Sequence, residues 1–145
     1  MNLPHALGRS QQMFVDTAPI IYFVEKHPRY FAIVSAVLDR VDDDQLTPVV
    51  SPITLAECLV YPYRMGHSDA VRMFKALLTR RMRFVPIEES IASQAAELRA
   101  RHNLSLPDAL QCAVALDTGC DAFLTNDIAL KRVTKLNVVV LDDLV

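Results

Sequence analysis

The chain has 145 residues, of which 52% are hydrophobic and 22% are charged, and its formal net charge is −2. This length and composition predict one folded domain and exclude a disordered or low-complexity chain. No apolar run is long enough to cross a bilayer, and the 3 cysteines include no CxxC pair. We therefore expect a cytoplasmic protein with no membrane partner, no disulfide framework and no thiolate zinc site.

Short strands and helices are predicted to alternate along almost the whole chain. Residues 1–12 have no usable periodicity, so we expect a flexible arm or a misassigned start there, followed by one domain over residues 13–145. Apolar runs predict strands at 13–15, 48–53, 84–87, 120–125 and 138–141. Apolar residues between these runs recur at helical spacing. The alternation predicts an α/β fold, with a twisted parallel sheet of about five strands flanked by helices on both faces.

Four acidic residues stand where strand-like runs pass into helix-like ones. They are Asp16, Glu57, Asp108 and Asp127. In a parallel α/β sheet the carboxyl ends of the strands and the beginnings of the helices share one edge, where ligands bind. Carboxylates gathered at that edge repel one another unless they hold a hard divalent cation such as Mg²⁺ or Mn²⁺. The pattern therefore predicts metal-dependent phosphate chemistry.

Each of these acids also has a local structural explanation. Glu57 fits the end of a capping box that begins at Thr54, and Asp108 completes a similar S-x-x-D pattern. Asp127 fits an N-cap, and Asp16 could simply favour the positive end of the following helix dipole. Capping alone does not require all four residues to lie at one edge of the sheet. The two roles are compatible, because a helix N-terminus stabilises a charged carboxylate while the side chain faces a cation.

The four acidic segments resemble the motifs of the PIN domains, and within that family those of the VapC-type toxins of toxin–antitoxin pairs. The segments read Phe-Val-Asp-Thr-Ala-Pro-Ile-Ile-Tyr at 14–22, Ser-Pro-Ile-Thr-Leu-Ala-Glu at 51–57, Leu-Ser-Leu-Pro-Asp-Ala-Leu at 104–110 and Phe-Leu-Thr-Asn-Asp at 123–127. They follow the family's order and run from Phe14 over nearly the whole chain. The arm before Asp16 is longer than is usual in the family, and a start at Met13 would restore the usual spacing.

The resemblance implies an endoribonuclease that hydrolyses RNA phosphodiesters with water activated by Mg²⁺ or Mn²⁺, and that a small antitoxin protein inhibits. The residues it assigns to catalysis and metal binding are Asp16, Glu57, Asp108 and Asp127, with Thr17, Thr125 and Asn126 as supporting polar groups. Two alternatives stay open. One is a catalytically silent PIN-like interaction module, and the other is a phosphoacceptor or phosphatase-like α/β domain. The second would usually carry an acid two positions after its nucleophile, whereas residue 18 is alanine.

Basic residues near the acidic edge are candidates for holding an RNA backbone. Arg64, Lys131 and Arg132 follow site-edge motifs and are the predicted phosphate contacts. If bound metal screens the four acids, 13 of the 17 acidic residues remain against 15 Lys and Arg. A polyanion could then bind to local basic patches despite the negative net charge.

Large apolar residues are also more numerous than one small sheet face requires. They are concentrated in the segments 20–24 and 30–41, together with Tyr61 and Tyr63. Amphipathic helices of partner proteins commonly bind in apolar grooves. We therefore expect a homodimer, and a groove that accepts an apolar helix of the antitoxin.

Overall fold

A computed structural model describes residues 12–43 and 45–144 of the chain. The strands within that part are β1 (Gln12–Val15), β2 (Thr47–Val50), β3 (Arg83–Phe84), β4 (Ala122–Thr125) and β5 (Val138–Val140). The α-helices are α1 (Thr17–Val24), α2 (Phe31–Asp42), α3 (Pro52–Met65), α4 (Ser68–Arg80), α5 (Glu89–His102) and α6 (Leu106–Asp117), and two short 3₁₀ helices span Ile128–Arg132 and Leu141–Leu144. None of the described helices has the length and apolar character needed to cross a membrane. The predicted arm at 1–12 lies outside the described residues, except that Gln12 opens β1.

The strands form one parallel sheet in the order β3-β2-β1-β4-β5. This arrangement confirms the predicted α/β fold. Because β2 and β3 lie on one side of β1 while β4 and β5 lie on the other, the strand order reverses beside β1. A ligand crevice is expected at the carboxyl ends of the strands where the order reverses. Asp16 lies at this point, and its backbone N–H donates to the carbonyl oxygen of Leu124 at 2.9 Å.

Helices cover both faces of the sheet, because successive side chains of each strand point to opposite faces. Met13 and Val15 enter one core, which α1 to α4 close. Phe14 and Phe123 enter the other core, under α5 and α6, and their rings stack at 4.9 Å between centroids. With both faces buried, the edge formed by the strand ends is held at fixed geometry.

Four of the five strands are shorter than the sequence predicts, and for two of them the reason is visible in the chain. The strand predicted at 48–53 ends at Val50, because Ser51 caps α3 and Pro52 begins it. Proline suits a first helical position, where no intrahelical partner exists for an N–H. The strand predicted at 84–87 ends at Phe84, and Pro86 beyond it has no N–H to donate to a neighbouring strand.

Candidate active site

Asp16 is the best-ordered acid of the site, because both of its carboxylate oxygens are hydrogen-bonded. It is the N-cap of α1, and its Oδ1 accepts the backbone N–H of Thr17 at 2.8 Å. Its Oδ2 accepts the hydroxyl of Thr125 at 2.8 Å. The carboxylate is partly buried, so a helix end and a strand end together fix its direction.

Thr125 connects the fourth acidic motif to the first. Its side chain is fully buried at the end of β4, and its Oγ1 accepts the backbone N–H of Asp127 at 3.1 Å while donating to Asp16. The side chain of Asp127 accepts the N–H of Ala129 at 2.9 Å and caps the first 3₁₀ helix. The predicted N-cap role of Asp127 is therefore confirmed. Asp127 is exposed and lies two residues beyond the end of β4.

Glu57 does not cap a helix, so the capping box predicted from Thr54 to Glu57 is wrong. The N-cap of α3 is Ser51, whose Oγ accepts the N–H of Ile53 at 3.1 Å, and Thr54 Oγ1 accepts the N–H of Ser51 at 3.2 Å. Glu57 lies almost one turn further along and is exposed. Its Oε1 accepts the hydroxyl of Thr17 at 2.7 Å. This hydrogen bond ties the second acidic motif to the residue after Asp16.

Asp108 occupies the first turn of α6, and its side chain is not needed for the cap. Ser105 is the N-cap, and its Oγ accepts the N–H of Asp108 at 3.2 Å. The Asp108 carboxylate is partly exposed and accepts no hydrogen bond from the described residues. It lies close enough to Asp16 for its charge to act on that carboxyl. The third acidic motif therefore also reaches the crevice.

The charge of the site is not compensated by basic side chains. Burial raises the pKa of the Asp16 carboxyl from 3.8 to about 6; hydrogen bonds from Thr125 and Thr17 oppose this rise, and the charges of Asp108 and Glu57 add to it. Within residues 12–43 and 45–144, no Lys or Arg forms an ion pair with any of the four acids. A divalent cation would relieve this repulsion.

The donor chemistry of the site suits such a cation. The four side chains offer only carboxylate oxygens, the ligands that Mg²⁺ and Mn²⁺ prefer. As they stand, however, no three His, Cys, Asp or Glu side chains of the described part lie close enough together to hold a metal ion. The hydrogen-bonded Asp16 is fixed, whereas Glu57 is exposed and Asp108 partly so. Holding an ion therefore requires the latter two side chains to rotate toward Asp16.

Asn126 lies between the site and an aromatic cluster. Its Nδ2 donates to the hydroxyl of Tyr22 at 3.4 Å, and its Oδ1 is buried without a partner among the described residues. The ring of Tyr22 stacks on that of Tyr30 at 4.7 Å. Asn126 thus links the end of β4 to α1, the helix that Asp16 caps.

A buried glutamine joins two of the acid-bearing helices, and the sequence did not lead us to it. Gln111 Oε1 accepts the hydroxyl of Ser51 at 2.6 Å and that of Thr54 at 3.1 Å. The sequence does contain a signal for this residue, because Gln111 is a polar side chain in α6 that directly precedes an entirely apolar run, 112–116. A buried polar side chain needs a partner, and here the partners come from α3.

The three predicted phosphate contacts differ in their surroundings. Lys131 pairs with Asp143 at 3.1 Å, so its charge is partly engaged. Arg132 is exposed in the first 3₁₀ helix. Arg64 is exposed near the end of α3, seven residues after Glu57, which places it on the same helix face at a rise of roughly 10 Å. Arg64 is the best placed of the three, and phosphate binding stays a prediction for all of them.

Two of the cysteines, Cys58 and Cys112, are buried in the helices behind the site. Burial raises the pKa of the Cys58 thiol to about 12, with the charges of Glu57 and Asp16 adding to the rise. Burial raises the pKa of Cys112 to about 12 as well. Both thiols therefore stay protonated at neutral pH and act as small core residues.

The model of the PIN domain family matches residues 13–136 of this sequence. The chain belongs to the PIN domain family. A comparison with curated proteins gave no match. The four acids of this PIN domain lie in the segments that the family resemblance picked out from the sequence.

Solved structures of toxin–antitoxin proteins share the fold. The VapBC2 complex of Rickettsia felis matches with a TM-score of 0.71 at 18% identity, covering 89% of this chain and 98% of the other. A DNA-bound VapBC from Salmonella typhimurium matches with a TM-score of 0.73 at 14% identity, covering 90% and 98%. VapC20 of Mycobacterium tuberculosis, described as a sarcin-ricin loop cleaving toxin, matches with a TM-score of 0.63 at 20% identity, covering 77% and 86%. At these identities the likeness shows the fold.

The apolar residues predicted to bind partners divide into core and surface. Ile20, Tyr30 and Val34 are buried in the core, so this part of the predicted excess is ordinary packing. Tyr61 and Tyr63 are 55% and 61% exposed on α3. The segments 20–24 and 30–41 therefore expose less apolar surface than the sequence indicated. Tyr61 and Tyr63 are exposed and leave apolar surface free for a partner.

Proposed function

We propose that this PIN domain is a Mg²⁺- or Mn²⁺-dependent endoribonuclease and the toxin of a toxin–antitoxin pair. The observation that carries the proposal is the state of Asp16. A fixed, partly buried carboxylate stands at the switch point of the sheet and has no basic partner among the described residues. Burial raises its pKa, and the charges of Asp108 and Glu57 add to the rise. A site of this kind is poor at stabilising the fold and well suited to a divalent cation.

Asp16, Glu57 and Asp108 would hold the ion, with Asp127 at the rim. A bound divalent ion activates water and stabilises the leaving oxygen of a phosphodiester. The chain supplies the orientation, because the N–H of Thr17 and the hydroxyl of Thr125 fix Asp16 at 2.8 Å each. Ligation requires ionised carboxylates, so burial of Asp16 opposes ion binding below about pH 6.

RNA as substrate and an antitoxin as partner rest on the relatives. VapC20 is described as a sarcin-ricin loop cleaving toxin. The other two matches are VapBC structures, which belong with the VapC-type motifs that this sequence resembles. The chemistry described above does not use a 2′-hydroxyl and therefore does not choose RNA over DNA. Arg64, on the same face of α3 as Glu57, is the phosphate contact we favour.

Two apolar surfaces suit the proposed partners. A groove between α1 and α4 is lined by Phe23, Val24, Met73 and Leu77 and bordered by arginines, and we assign it to an apolar antitoxin helix with acidic flanks. The exposed face of α3 presents Tyr63 together with other large apolar side chains, namely Val60, Tyr61 and Met65. We assign this second surface to a homodimer contact, since solvent-exposed apolar patches commonly mark interaction sites.

The deciding experiment compares cleavage of single-stranded RNA and DNA with Mn²⁺, with Mg²⁺ and with EDTA. We expect metal-dependent cleavage of RNA that leaves a 5′-phosphate. The rate should fall at least about a hundredfold for Glu57→Gln and Asp108→Asn, because these carboxylates would hold the ion that activates water. The matched control is Glu97→Gln, an exposed glutamate on α5 outside the site, which should cleave like the wild type.

The remaining alternatives are distinguished by binding and labelling measurements made beside the cleavage assay. A protein that binds a divalent ion or an antitoxin but cleaves neither nucleic acid would be a silent interaction module. Hydroxylamine-labile phosphate on Asp16 would indicate a phosphoacceptor domain. Equal cleavage by the wild type and by Asp108→Asn would exclude Asp108 from the active site.

A further inference from the structure

Gln111 forms a buried link between the two helices that carry Glu57 and Asp108. Its side chain is 1% exposed, and its Oε1 accepts hydrogen bonds from two hydroxyls of α3, Ser51 at 2.6 Å and Thr54 at 3.1 Å. Both hydroxyls are themselves buried. The network therefore joins the first turn of α3 to α6 inside the protein, away from competing water.

The direction of each hydrogen bond in this network is set by the backbone. Ser51 Oγ accepts the N–H of Ile53 and Thr54 Oγ1 accepts the N–H of Ser51. Each hydroxyl therefore has its proton available for an acceptor, and the carbonyl oxygen of Gln111 receives both. Within the described part of the chain, the hydroxyl protons of Ser51 and Thr54 have no other acceptor.

One feature of this link lowers the stability of the fold. The Nε2 group of Gln111 is buried without a hydrogen-bond partner among the described residues. A buried donor without an acceptor is unfavourable, and an apolar side chain of the same size would avoid it. Core packing alone therefore does not account for a glutamine at this position.

The position of the link relative to the acids gives it a role. Thr54 precedes Glu57 by three residues on α3, and Gln111 follows Asp108 by three residues on α6. Residues three apart on a helix lie on the same face. The hydrogen bond between Thr54 and Gln111 therefore joins the same helix faces that present Glu57 and Asp108, about one turn away on each helix.

We infer that Gln111 is a positioning residue, which sets the separation of Glu57 and Asp108 and thereby the affinity of the site for a divalent ion. The inference rests on the proposed function. Groups that orient metal ligands typically change metal affinity by roughly 10- to 100-fold when they are removed. Gln111 does not contact the ion, and it acts through the placement of α3 against α6.

The test measures Mn²⁺ affinity by calorimetry at a temperature where every variant is folded. Gln111→Met keeps the side chain's length and removes both hydrogen bonds, and we expect its Kd for Mn²⁺ to rise roughly tenfold or more. The matched control is Val114→Ala, a fully buried change one turn further along α6. This control should destabilise the protein through a cavity and leave the Mn²⁺ Kd within about twofold of the wild type.

A second pair of variants keeps the test decisive if Gln111→Met does not fold. Thr54→Val removes one hydroxyl of the link while Gln111 stays in place, and Thr54→Ser retains that hydroxyl. We expect Thr54→Val to weaken Mn²⁺ binding several-fold and Thr54→Ser to restore it. In the double variant with Gln111→Met and Thr54→Val, the two losses of Mn²⁺ affinity should not add, because residues that share one contact are coupled.

The outcomes separate this inference from the proposed function. If the wild type binds Mn²⁺ and Gln111→Met or Thr54→Val binds it equally tightly, the positioning role is wrong and the metal site stands. If Val114→Ala weakens binding as much as Gln111→Met does, general destabilisation is the cause and the role is again wrong. If the wild type does not bind Mn²⁺ at all, the proposed function is wrong, and the inference fails with it.

Discussion

Substituting Asp16 with asparagine should make the metal-free protein more stable at neutral pH and less stable in acid. Burial keeps the Asp16 carboxyl protonated in the folded protein up to about pH 6, whereas an ordinary aspartate titrates near 3.8. Between these values the folded state holds a proton that the unfolded chain has released, so the free energy of unfolding falls as the pH rises. This contribution is fully present below the unfolded pKa and is lost as the pH passes the folded pKa.

The size of the effect follows from the pKa change. A rise from 3.8 to about 6, at 1.36 kcal/mol per unit, corresponds to roughly 3 kcal/mol of unfolding free energy lost between acid and neutral pH. Asparagine has no charge to bury. However, its amide group forms a weaker hydrogen bond with the Thr125 hydroxyl than the carboxyl group does, and this lowers the free energy of unfolding by about 1 kcal/mol. Asp16→Asn should therefore be about 1 kcal/mol less stable than the wild type in acid and about 2 kcal/mol more stable at neutral pH.

The assay is urea unfolding of both proteins with EDTA across a pH series. The matched control is Asp117→Asn, an exposed aspartate at the end of α6, which should stay within about 0.5 kcal/mol of the wild type throughout. A constant difference between Asp16→Asn and the wild type at every pH would refute the reasoning, because only a buried titrating group makes the difference change sign.

Metal should reverse the order of stability at neutral pH. Mn²⁺ at roughly a hundred times its dissociation constant should stabilise the wild type by about 2.7 kcal/mol. Asp16→Asn should lose most of that gain together with RNA cleavage. An equal gain in both proteins would place the ion elsewhere.

Three further predictions concern the rim, the thiols and the dimer. Asp127→Asn should lose less metal-dependent stabilisation than Asp16→Asn, because the exposed Asp127 carboxylate already uses one oxygen to cap the 3₁₀ helix. An equal loss, in the same urea assay, would make Asp127 a full ligand. Cys58 and Cys112 should resist a thiol reagent in the native protein, since burial raises the pKa of both to about 12, while the less buried Cys120 reacts first; rapid modification of all three would contradict the structure. Tyr63→Asp should yield a monomer in sedimentation at micromolar concentration, because Tyr63 is 61% exposed in the proposed dimer surface, and an unchanged dimer would exclude that surface.

The sequence predicted the parallel sheet well because the relevant signals are local. Alternating apolar runs and helical spacing follow from the short-range geometry of strands and helices. Each of the five predicted strand ranges overlaps a strand of the structure. The predicted strand ends were less accurate where a helix cap follows the strand, as at Ser51. A serine before a proline is compatible both with the end of a strand and with the N-cap of a helix.

The contacts within the site were beyond the reach of the sequence because they are not local. Gln111 meets Ser51 and Thr54 across separations of 60 and 57 residues. No spacing rule relates such partners. The wrong capping box has a different cause, which is local: Thr54 and Glu57 have the right spacing, but so do Ser51 and Thr54, and Ser51 is the residue that caps. A glutamine in an apolar helix indicates that a buried partner exists, without naming it.

The hydrogen bonds divide the four acids into two pairs, and the division bears on what the site is for. Asp16 and Asp127 each accept a backbone N–H at a helix start, so each has a capping role that does not depend on a metal. Glu57 and Asp108 accept no backbone N–H from the described residues, and their charges raise the pKa of Asp16. Any neutral polar residue at these two positions would serve the fold better, because it would remove like charge from the crevice. A bound cation is the condition under which a glutamate and an aspartate become favourable there, so this pair supports the proposed function that the state of Asp16 carries.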